Sequence, residues 1–272
     1  MYENWSPTVT VPVKSADRVL AILELMTKCE KPLTFSEIAQ ELHYPRSSLH
    51  GLLQTLVERG WADFDEAGHT FTVGIRALEA GNVYTRCLGL VDRALPLMEG
   101  VRDAVDETVQ LAVLDGLSNV YIAKVDGRQT LTLASEVGRR LPAYATGVGK
   151  VLLAGLGQPE LEKRLGTAKL SAVTSNTITD RPRLLSHLAE VRRRGFGVDN
   201  EEYTIGIRCI AVPVYDYGRR TIAAMSVSVP AIRFTPSHRQ QAHGLLAEAA
   251  ARLSAALGYR PANQQIQTAE VR

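Results

Sequence analysis

The chain has 272 residues, of which 45% are hydrophobic and 22% are charged, and its formal net charge is +2. This composition is typical of a soluble globular protein with one large or two ordinary domains. The sequence contains no run of about 18 apolar residues, which a membrane-spanning helix would need. The three cysteines lie far apart without CxxC spacing and no secretory signal is evident, so we expect a cytoplasmic protein without a metal or cofactor.

The first 75 residues predict a small helical domain with a β-hairpin. After a flexible arm at residues 1–13, the apolar residues of a first helix recur with helical spacing, and Ser15 is placed to cap it. The segment TFSEIAQEL opens a second helix with a capping box formed by Thr34 and Glu37. After a third helix, the strand-like runs WADFD and HTFTVG form the hairpin. This order of elements predicts a winged helix-turn-helix over residues 14–75.

The third helix, which follows Pro45, has an apolar face and a polar face. The apolar residues expected in the core are Leu49, Leu52, Leu53 and Leu56. The side chains on the polar face can reach phosphates and base edges in a major groove. The candidate DNA contacts are Thr34 at the cap of the second helix and Arg46, Ser47, Ser48, His50, Gln54 and Thr55. An ordinary solvated face is the alternative, and the six Lys/Arg and ten Asp/Glu of residues 1–75, net −4, count against bulk attraction to DNA.

The remainder of the chain predicts a second, larger domain of the α+β class. Residues 76–95 are expected to form a linker helix, whose apolar stripe packs within the chain or against a copy in a dimer. Residues 96–258 alternate between strands and helices, which indicates a mainly antiparallel sheet flanked by helices. One of the predicted strands is TLTLASEV, at residues 130–137, and residues 259–272 are expected to be a disordered tail.

Two stretches of the second domain can carry chemistry. ATGVGK contains a Gly-Lys pair but lacks the spacing of a nucleotide-binding Walker loop. As the glycine-rich start of a helix, it either offers free N–H groups to a small anion such as a carboxylate or packs closely against a neighbour. In VDNEEYTIGIRCIAVPV, the carboxylates of Asp199, Glu201 and Glu202 could bind a metal or act as acid and base, although a solvated strand end is the simpler interpretation. Ser226 and Ser228 share one face of a later strand, where their hydroxyls could contact a ligand.

Together these stretches resemble the IclR family of transcriptional regulators over residues 14–258. The motifs that carry the resemblance are KSADRVLAILELM, TFSEIAQELHYPRSSLHGLLQTLVERGW, LPAYATGVGKVLLA, LAEVRRRGFGVDNEEYTIGIRCIAVPVYD and AAMSVSVPAIRFT. The resemblance implies a winged helix-turn-helix, a GAF-like effector domain, and dimers that pair into tetramers on operator DNA. It also implies an effector site, and the residues that match it are Leu133, Leu141, Thr146, Gly147, Val148, Asp199, Ile207, Cys209, Ser226 and Ser228. The chain departs from the family at Gly51, where members often carry an arginine.

We therefore expect a ligand-responsive DNA-binding regulator, most simply a repressor of a catabolic operon whose operator affinity changes when an organic or aromatic acid binds. In this mechanism the acid binds the amides of Gly147 and Val148, and its polar tail meets Asp199, which favours a hydroxyl or a protonated group over a second carboxylate. The linker helices then change the separation of the two recognition helices in a dimer. Three alternatives remain open: an activator of the same family, a metabolite sensor that acts through a protein partner, and an enzyme that uses Asp199, Glu201 and Cys209.

Overall fold

A computed structural model of the protein describes residues 13–29, 31–129 and 136–260, and for residues 82–88 it describes the backbone alone. Most of the expected arm and tail, Leu133, and most of the strand predicted at residues 130–137 lie outside the described residues. Within the described ranges, no helix is both long enough and apolar enough to cross a lipid bilayer.

The chain divides into two compact units, Met1–Cys87 and Leu88–Arg272. The first unit is the expected winged helix-turn-helix. Its elements are α1 Lys14–Lys28, β1 Leu33–Thr34, α2 Phe35–Leu42, α3 Arg46–Glu58, β2 Ala62–Asp65, β3 Thr70–Val73 and α4 Ile75–Leu88. The three strands form an antiparallel sheet in the order β1-β3-β2. The sequence predicts the β2–β3 hairpin but not β1, because two residues are too few to show an alternating pattern.

Local capping explains where the helices of this unit begin and end. The Thr34 hydroxyl accepts a hydrogen bond from the Glu37 amide at 3.2 Å, and Glu37 Oε2 accepts one from the Thr34 amide at 2.8 Å. The predicted capping box is therefore confirmed. α2 ends at Leu42, and the next residue, His43, has a left-handed φ of 55° that starts the turn into α3. The predicted cap at Ser15 is wrong, because α1 begins at Lys14, two residues earlier than that cap implies, and its N-cap residue Val13 makes no side-chain cap.

The core of the first unit contains the apolar face predicted for α3. Leu49, Leu53 and Leu56 are buried, while Leu52 packs at the edge of the core. The other buried core residues of this unit are Ile22, Met26, Leu33, Ile38 and Ala62. Removal of this apolar surface from water fixes which side of α3 faces inward, so the polar side is left exposed.

The second unit has the expected α+β architecture. Its elements are α5 Leu90–Val105, β4 Thr108–Asp115, β5 Ser118–Val125, β6 Arg140–Pro142, α6 Gly147–Ala154, α7 Gln158–Leu165, α8 Arg181–Arg194, β7 Gly197–Asn200, β8 Ile207–Tyr215, β9 Thr221–Pro230 and α9 Pro236–Ala256. The described strands form one sheet in the order β6-β5-β4-β9-β8-β7, and every neighbouring pair is antiparallel.

The two faces of this sheet bury different helices. On one face, residues such as Ile210, Val212 and Val227 pack against α5 and α9. On the other face, Ala211 and Ala224 pack against α6, which in turn contacts α8. Alternation of side chains along each strand produces this division. The small alanines on the second face let α6 lie close to the sheet.

The linker helix predicted at residues 76–95 is two helices in the structure. α4 ends at Leu88 and α5 begins at Leu90, because Gly89 between them has a left-handed φ of 53°. Leu90 and Ala94 of α5 are buried in the core of the second unit. The second half of the expected linker therefore belongs to that unit.

Candidate functional sites

The exposed face of α3 presents the side chains that the sequence predicts to contact DNA. Five of them are exposed and Ser48 is half-buried; the five are Arg46, Ser47, His50, Gln54 and Thr55. Gly51 lies on the same face, and a Cβ atom there would meet no atom within 4 Å. Side chains on an exposed helix face of this kind can reach base edges in a major groove.

Contacts within the unit orient several of these side chains. The Arg46 guanidinium lies over the Phe35 ring at 5.4 Å, and the His50 ring is 6.5 Å from the same ring. Gln54 Nε2 donates to Glu58 Oε1 at 2.9 Å, while the Thr55 hydroxyl donates to the Gly51 carbonyl. Arg46 and His50 are thus held toward α2. Gln54 and Thr55 are bonded along α3 itself.

Arg18 is a cation beside α3 that the sequence analysis does not identify. Its Nη1 donates to the Ser48 hydroxyl at 3.3 Å, and its guanidinium lies over the Tyr44 ring at 4.9 Å. Only the packing of α1 on α3 brings it there, so its position in the sequence carries no signal. Thr34, by contrast, has its hydroxyl engaged in the capping box, where it also donates to Glu37 Oε2 at 2.9 Å.

Acidic residues of the first unit cluster on the wing formed by β2 and β3. Asp63, Asp65 and Glu66 are exposed there. The Asp65 carboxylate accepts hydrogen bonds from the amides of Ala67 and Gly68 at 3.2 and 3.0 Å, so it shapes the turn. Part of the negative charge of residues 1–75 therefore lies on the wing.

A cavity of about 200 Å³ lies in the second unit, on the face of the sheet that carries α6. Nine of the ten residues predicted for the effector site line it, and the tenth, Leu133, lies outside the described residues. The nine are Leu141, Thr146, Gly147, Val148, Asp199, Ile207, Cys209, Ser226 and Ser228. The sequence analysis does not identify five further lining residues, which are Gln110, Tyr121, Arg139, Tyr203 and Thr204. Strand pairing brings Gln110, Tyr121 and Arg139 in from distant parts of the chain, whereas Tyr203 and Thr204 lie in the segment between β7 and β8.

The start of α6 forms one wall of the cavity. Its N-cap residue Thr146 accepts from the Gly149 amide at 3.0 Å and donates to Asn119 Oδ1 at 2.7 Å. In the described part of the chain, the amides of Gly147 and Val148 donate to no protein acceptor. Free N–H groups at the positive end of a helix attract an anion.

Close packing accounts for the second glycine of this helix. A Cβ atom on Gly149 would lie 2.3 Å from the Cα and carbonyl oxygen of Ala143, which no residue tolerates. A Cβ atom on Gly147 would lie 3.4 Å from the Asp199 nitrogen and 3.5 Å from Cys209 Cβ, which is ordinary contact. Close packing therefore explains Gly149, and anion binding stays a prediction for the start of the helix at Gly147.

The floor of the cavity is a row of polar side chains across three strands. Cys209 on β8 is paired with Asp199 on β7 and with Ser228 on β9, so the three share one face of the sheet. Ser228 Oγ donates to Gln110 Oε1 at 3.0 Å and lies 3.0 Å from Cys209 Sγ. Burial raises the pKa of the Cys209 thiol, so the thiol stays protonated and donates to Ser228. This state does not suit a nucleophile.

Asp199 is the buried carboxyl of the cavity, with 3% of its surface exposed. Its Oδ1 accepts from the Glu202 amide at 2.7 Å. Burial raises the pKa of Asp199 to about 7, although that hydrogen bond and the charge of Lys150 oppose the rise. The carboxyl therefore changes charge near neutral pH.

The other two carboxylates of the same stretch point elsewhere. Glu201 forms an ion pair with Arg208 at 2.9 Å and accepts from the Gly206 amide at 2.9 Å, while Glu202 pairs with Lys150. Among the described residues, no three His, Cys, Asp or Glu side chains come together as ligands for a metal ion. The three neighbouring carboxylates of the sequence thus have three separate roles.

Comparison with known proteins agrees with both units. Residues 15–66 match the family described as the IclR helix-turn-helix domain, and residues 83–255 match the one described as bacterial transcriptional regulator IclR C-terminal. The chain is 34% identical over 242 residues to the HTH-type transcriptional regulator BhcR of Paracoccus denitrificans. This alignment covers 89% of this chain and 86% of the relative. It is 30% identical over 252 residues to the transcriptional repressor IclR of Escherichia coli, with 92% of each chain covered.

A solved structure shares the whole fold. It is an IclR homolog from Microbacterium hydrocarbonoxydans complexed with 4-hydroxybenzoate. The superposition has a TM-score of 0.80 and a sequence identity of 28%, and it covers 89% of this chain and 98% of that one. The family models match the helix-turn-helix and the cavity-bearing unit in the same order along the sequence. The chain therefore belongs to the IclR family of bacterial transcriptional regulators, which bind DNA and are not enzymes.

Proposed function

We propose that the protein represses a catabolic operon in the cytoplasm, bound to operator DNA as a dimer or a pair of dimers, and that a small organic acid in the cavity changes its DNA affinity. The observation that carries this proposal is the cavity itself, which is lined by Gly147 and Val148, whose amides have no acceptor among the described residues, and by a polar floor that contains Asp199. The name of the Escherichia coli relative, a transcriptional repressor, supports the sign of regulation.

The lining selects a short acid with a hydroxyl group. The cavity volume of about 200 Å³ is below the roughly 300–1,000 Å³ of pockets for drug-sized ligands, so the effector is smaller than such a ligand. Its carboxylate binds the Gly147 and Val148 amides, and its hydroxyl donates to Asp199 while that carboxyl is ionised. Leu141 and Ile207 contact its carbon skeleton. The acid bound to the Microbacterium homolog has a carboxylate and a hydroxyl at opposite ends, which is the same pair of groups.

On the DNA side, we propose that α3 enters the major groove. Arg46 and Arg18 contact phosphates on either side of the helix start, and Ser47, Gln54 and Thr55 face base edges. Ser48 and His50 support the two arginines through the contacts described above. Thr34 acts through its cap, which sets the start of α2.

A pair of arginine variants tests this arrangement. Arg46→Ala should weaken binding to DNA from the regulatory region of the protein's own gene by about ten-fold and lower the salt slope by about one unit. Arg59→Ala is the matched control, because Arg59 is exposed at the other end of α3, about 20 Å away along the helix axis. Fluorescence anisotropy at several salt concentrations measures both. Equal losses in the two variants would contradict the assignment of Arg46.

A further inference from the structure

Lys150 is a buried cation next to the cavity. It takes no part in the DNA and effector contacts proposed above. It has no exposed surface, although lysine is almost never fully buried without a partner. It lies in the first turn of α6, three residues after Gly147, and its Nζ pairs with Glu202 Oε1. Glu202 is itself only 5% exposed. The pair thus connects the anion-binding start of α6 to the segment that follows β7.

Glu202 is also the centre of the hydrogen bonds that hold that segment. Its amide donates to Asp199 Oδ1 at 2.7 Å, and its carbonyl accepts from the hydroxyls of Thr177 and Thr174 at 2.7 and 3.1 Å. The next two residues, Tyr203 and Thr204, line the cavity. A displacement of Glu202 would therefore move three lining residues together.

The energetics of buried ion pairs argue against stability as the main reason for this pair. The desolvation of two charges offsets most of their attraction, and apolar residues of similar volume often replace such pairs without loss of stability. Among the described residues, Glu202 Oε2 is moreover buried with no hydrogen-bond partner, which adds to the cost of the carboxylate. The ion pair does provide a directional contact, because Lys150 Nζ and Glu202 Oε1 hold the two side chains in one relative position. Apolar side chains would not fix such a position.

We propose that Lys150 and Glu202 act as a positioning pair, which holds Asp199, Tyr203 and Thr204 against the start of α6 and so keeps the effector cavity in its binding shape. Neither residue of the pair lines the cavity. This inference rests on the proposed function in one respect, which is the assignment of the cavity as the effector site. The order that the pair imposes on residues 199–204 is a property of the protein without effector.

The test replaces both charges together, because removal of one would leave the other buried and unpaired. In the full chain, Lys150→Met with Glu202→Met keeps the side-chain volumes close to those of the native pair. Glu190→Met with Arg193→Met is the matched control, since it removes an exposed ion pair of α8 in the same unit. Each protein is examined by thermal unfolding, by amide hydrogen exchange, and by calorimetric titration with 4-hydroxybenzoate and with gluconate.

The proposal expects the buried double variant to melt within a few degrees of the native protein. Its amides at residues 199–206 exchange about ten-fold faster or more, while those of β9 are unchanged. Whichever acid the native protein binds is bound about ten-fold more weakly, and the control variant behaves as the native protein does. A general loss of stability with uniformly faster exchange would indicate a merely structural pair and overturn the proposal.

Native exchange at residues 199–206 in the buried double variant would overturn it as well. If the native protein bound neither acid, the proposed effector class would fail, whereas the exchange measurement would still decide the role of the pair. Faster exchange at residues 199–206 together with native acid affinity would show that the segment's order does not govern the cavity, which also contradicts the proposal. The two claims therefore fail in distinguishable ways.

Discussion

Among single residues, Asp199 links the cavity to pH. Its pKa in the folded protein is about 7, above the ordinary value of 3.8, so the folded chain keeps a proton that the unfolded chain has released. The stability due to this proton is present at low pH and is lost as pH rises through about 7. Asp199→Asn retains an oxygen for the Glu202 amide and cannot ionise. We expect its free energy of unfolding to exceed that of the native protein by an amount that grows between about pH 4 and 8.

Urea unfolding at about pH 5 and about pH 8 measures this difference. Subtracting the free energy of unfolding of the native protein from that of Asp199→Asn at each pH removes the contributions of other titrating groups. One such group is His187, whose pKa is lowered to about 4 mainly by burial. A difference between the two proteins that did not change with pH would show that the Asp199 carboxyl does not titrate in this range.

Gly51 is the second residue that leads to a prediction. It lies inside α3 with open space around its Cα atom, so an alanine fits without contact. Because glycine costs about 1 kcal/mol relative to alanine in a helix interior, Gly51→Ala should stabilise the first unit by about that amount. Gly74→Ala is the contrasting variant, since its Cβ would lie 2.4 Å from the Gly60 carbonyl oxygen and should destabilise. Thermal unfolding compares the two, and a lower melting temperature for Gly51→Ala would contradict the open geometry.

Among the elements, the start of α6 makes the most specific prediction. Gly147 is the first residue of the helix, where proline is tolerated, and Thr146 before it is extended with φ of −123° and ψ of 153°, as a residue before proline requires. Gly147→Pro therefore removes one cavity amide and leaves the helix in place. Gly147→Ala adds a similar Cβ and keeps the amide.

If the Gly147 amide binds the effector carboxylate, Gly147→Pro should bind the acid about ten-fold more weakly than Gly147→Ala does. Calorimetric titration of the two variants with the same acid gives the comparison, which cancels the steric effect of the added carbon. Equal affinities would show that the carboxylate does not use this amide.

Elements with strong local signals could be predicted from the sequence. The capping box at Thr34 and Glu37 and the leucines of α3 are examples of such local patterns. The order of the predicted strands and helices follows from local patterns of this kind along the chain. The sequence does not predict the short strands β1 and β6, because alternation cannot be seen in two or three residues. The break at Gly89 was also missed, since a glycine inside an apolar stripe does not by itself end a helix.

At the scale of the whole molecule, the cavity could be predicted only in part. The family resemblance predicts nine lining residues, and local patterns also indicate Asp199, Ser226, Ser228 and the start of α6. Gln110, Tyr121 and Arg139 are added by the pairing of β4, β5 and β6 with distant strands. Their contribution depends on tertiary structure, which leaves no motif in the chain. Lys150 shows the same limit, because its partner Glu202 is 52 residues away.

The central claim is that occupancy of the cavity changes the affinity of the first unit for DNA. The most direct measurement is the dissociation constant of the protein for DNA from its own regulatory region, by fluorescence anisotropy, with and without an acid shown by calorimetry to saturate the cavity. We predict a change of about five-fold or more in the native protein, and in Asp199→Ala the same affinity without acid but little change with it. A native protein that binds the acid and the DNA with no effect of either on the other would contradict the account.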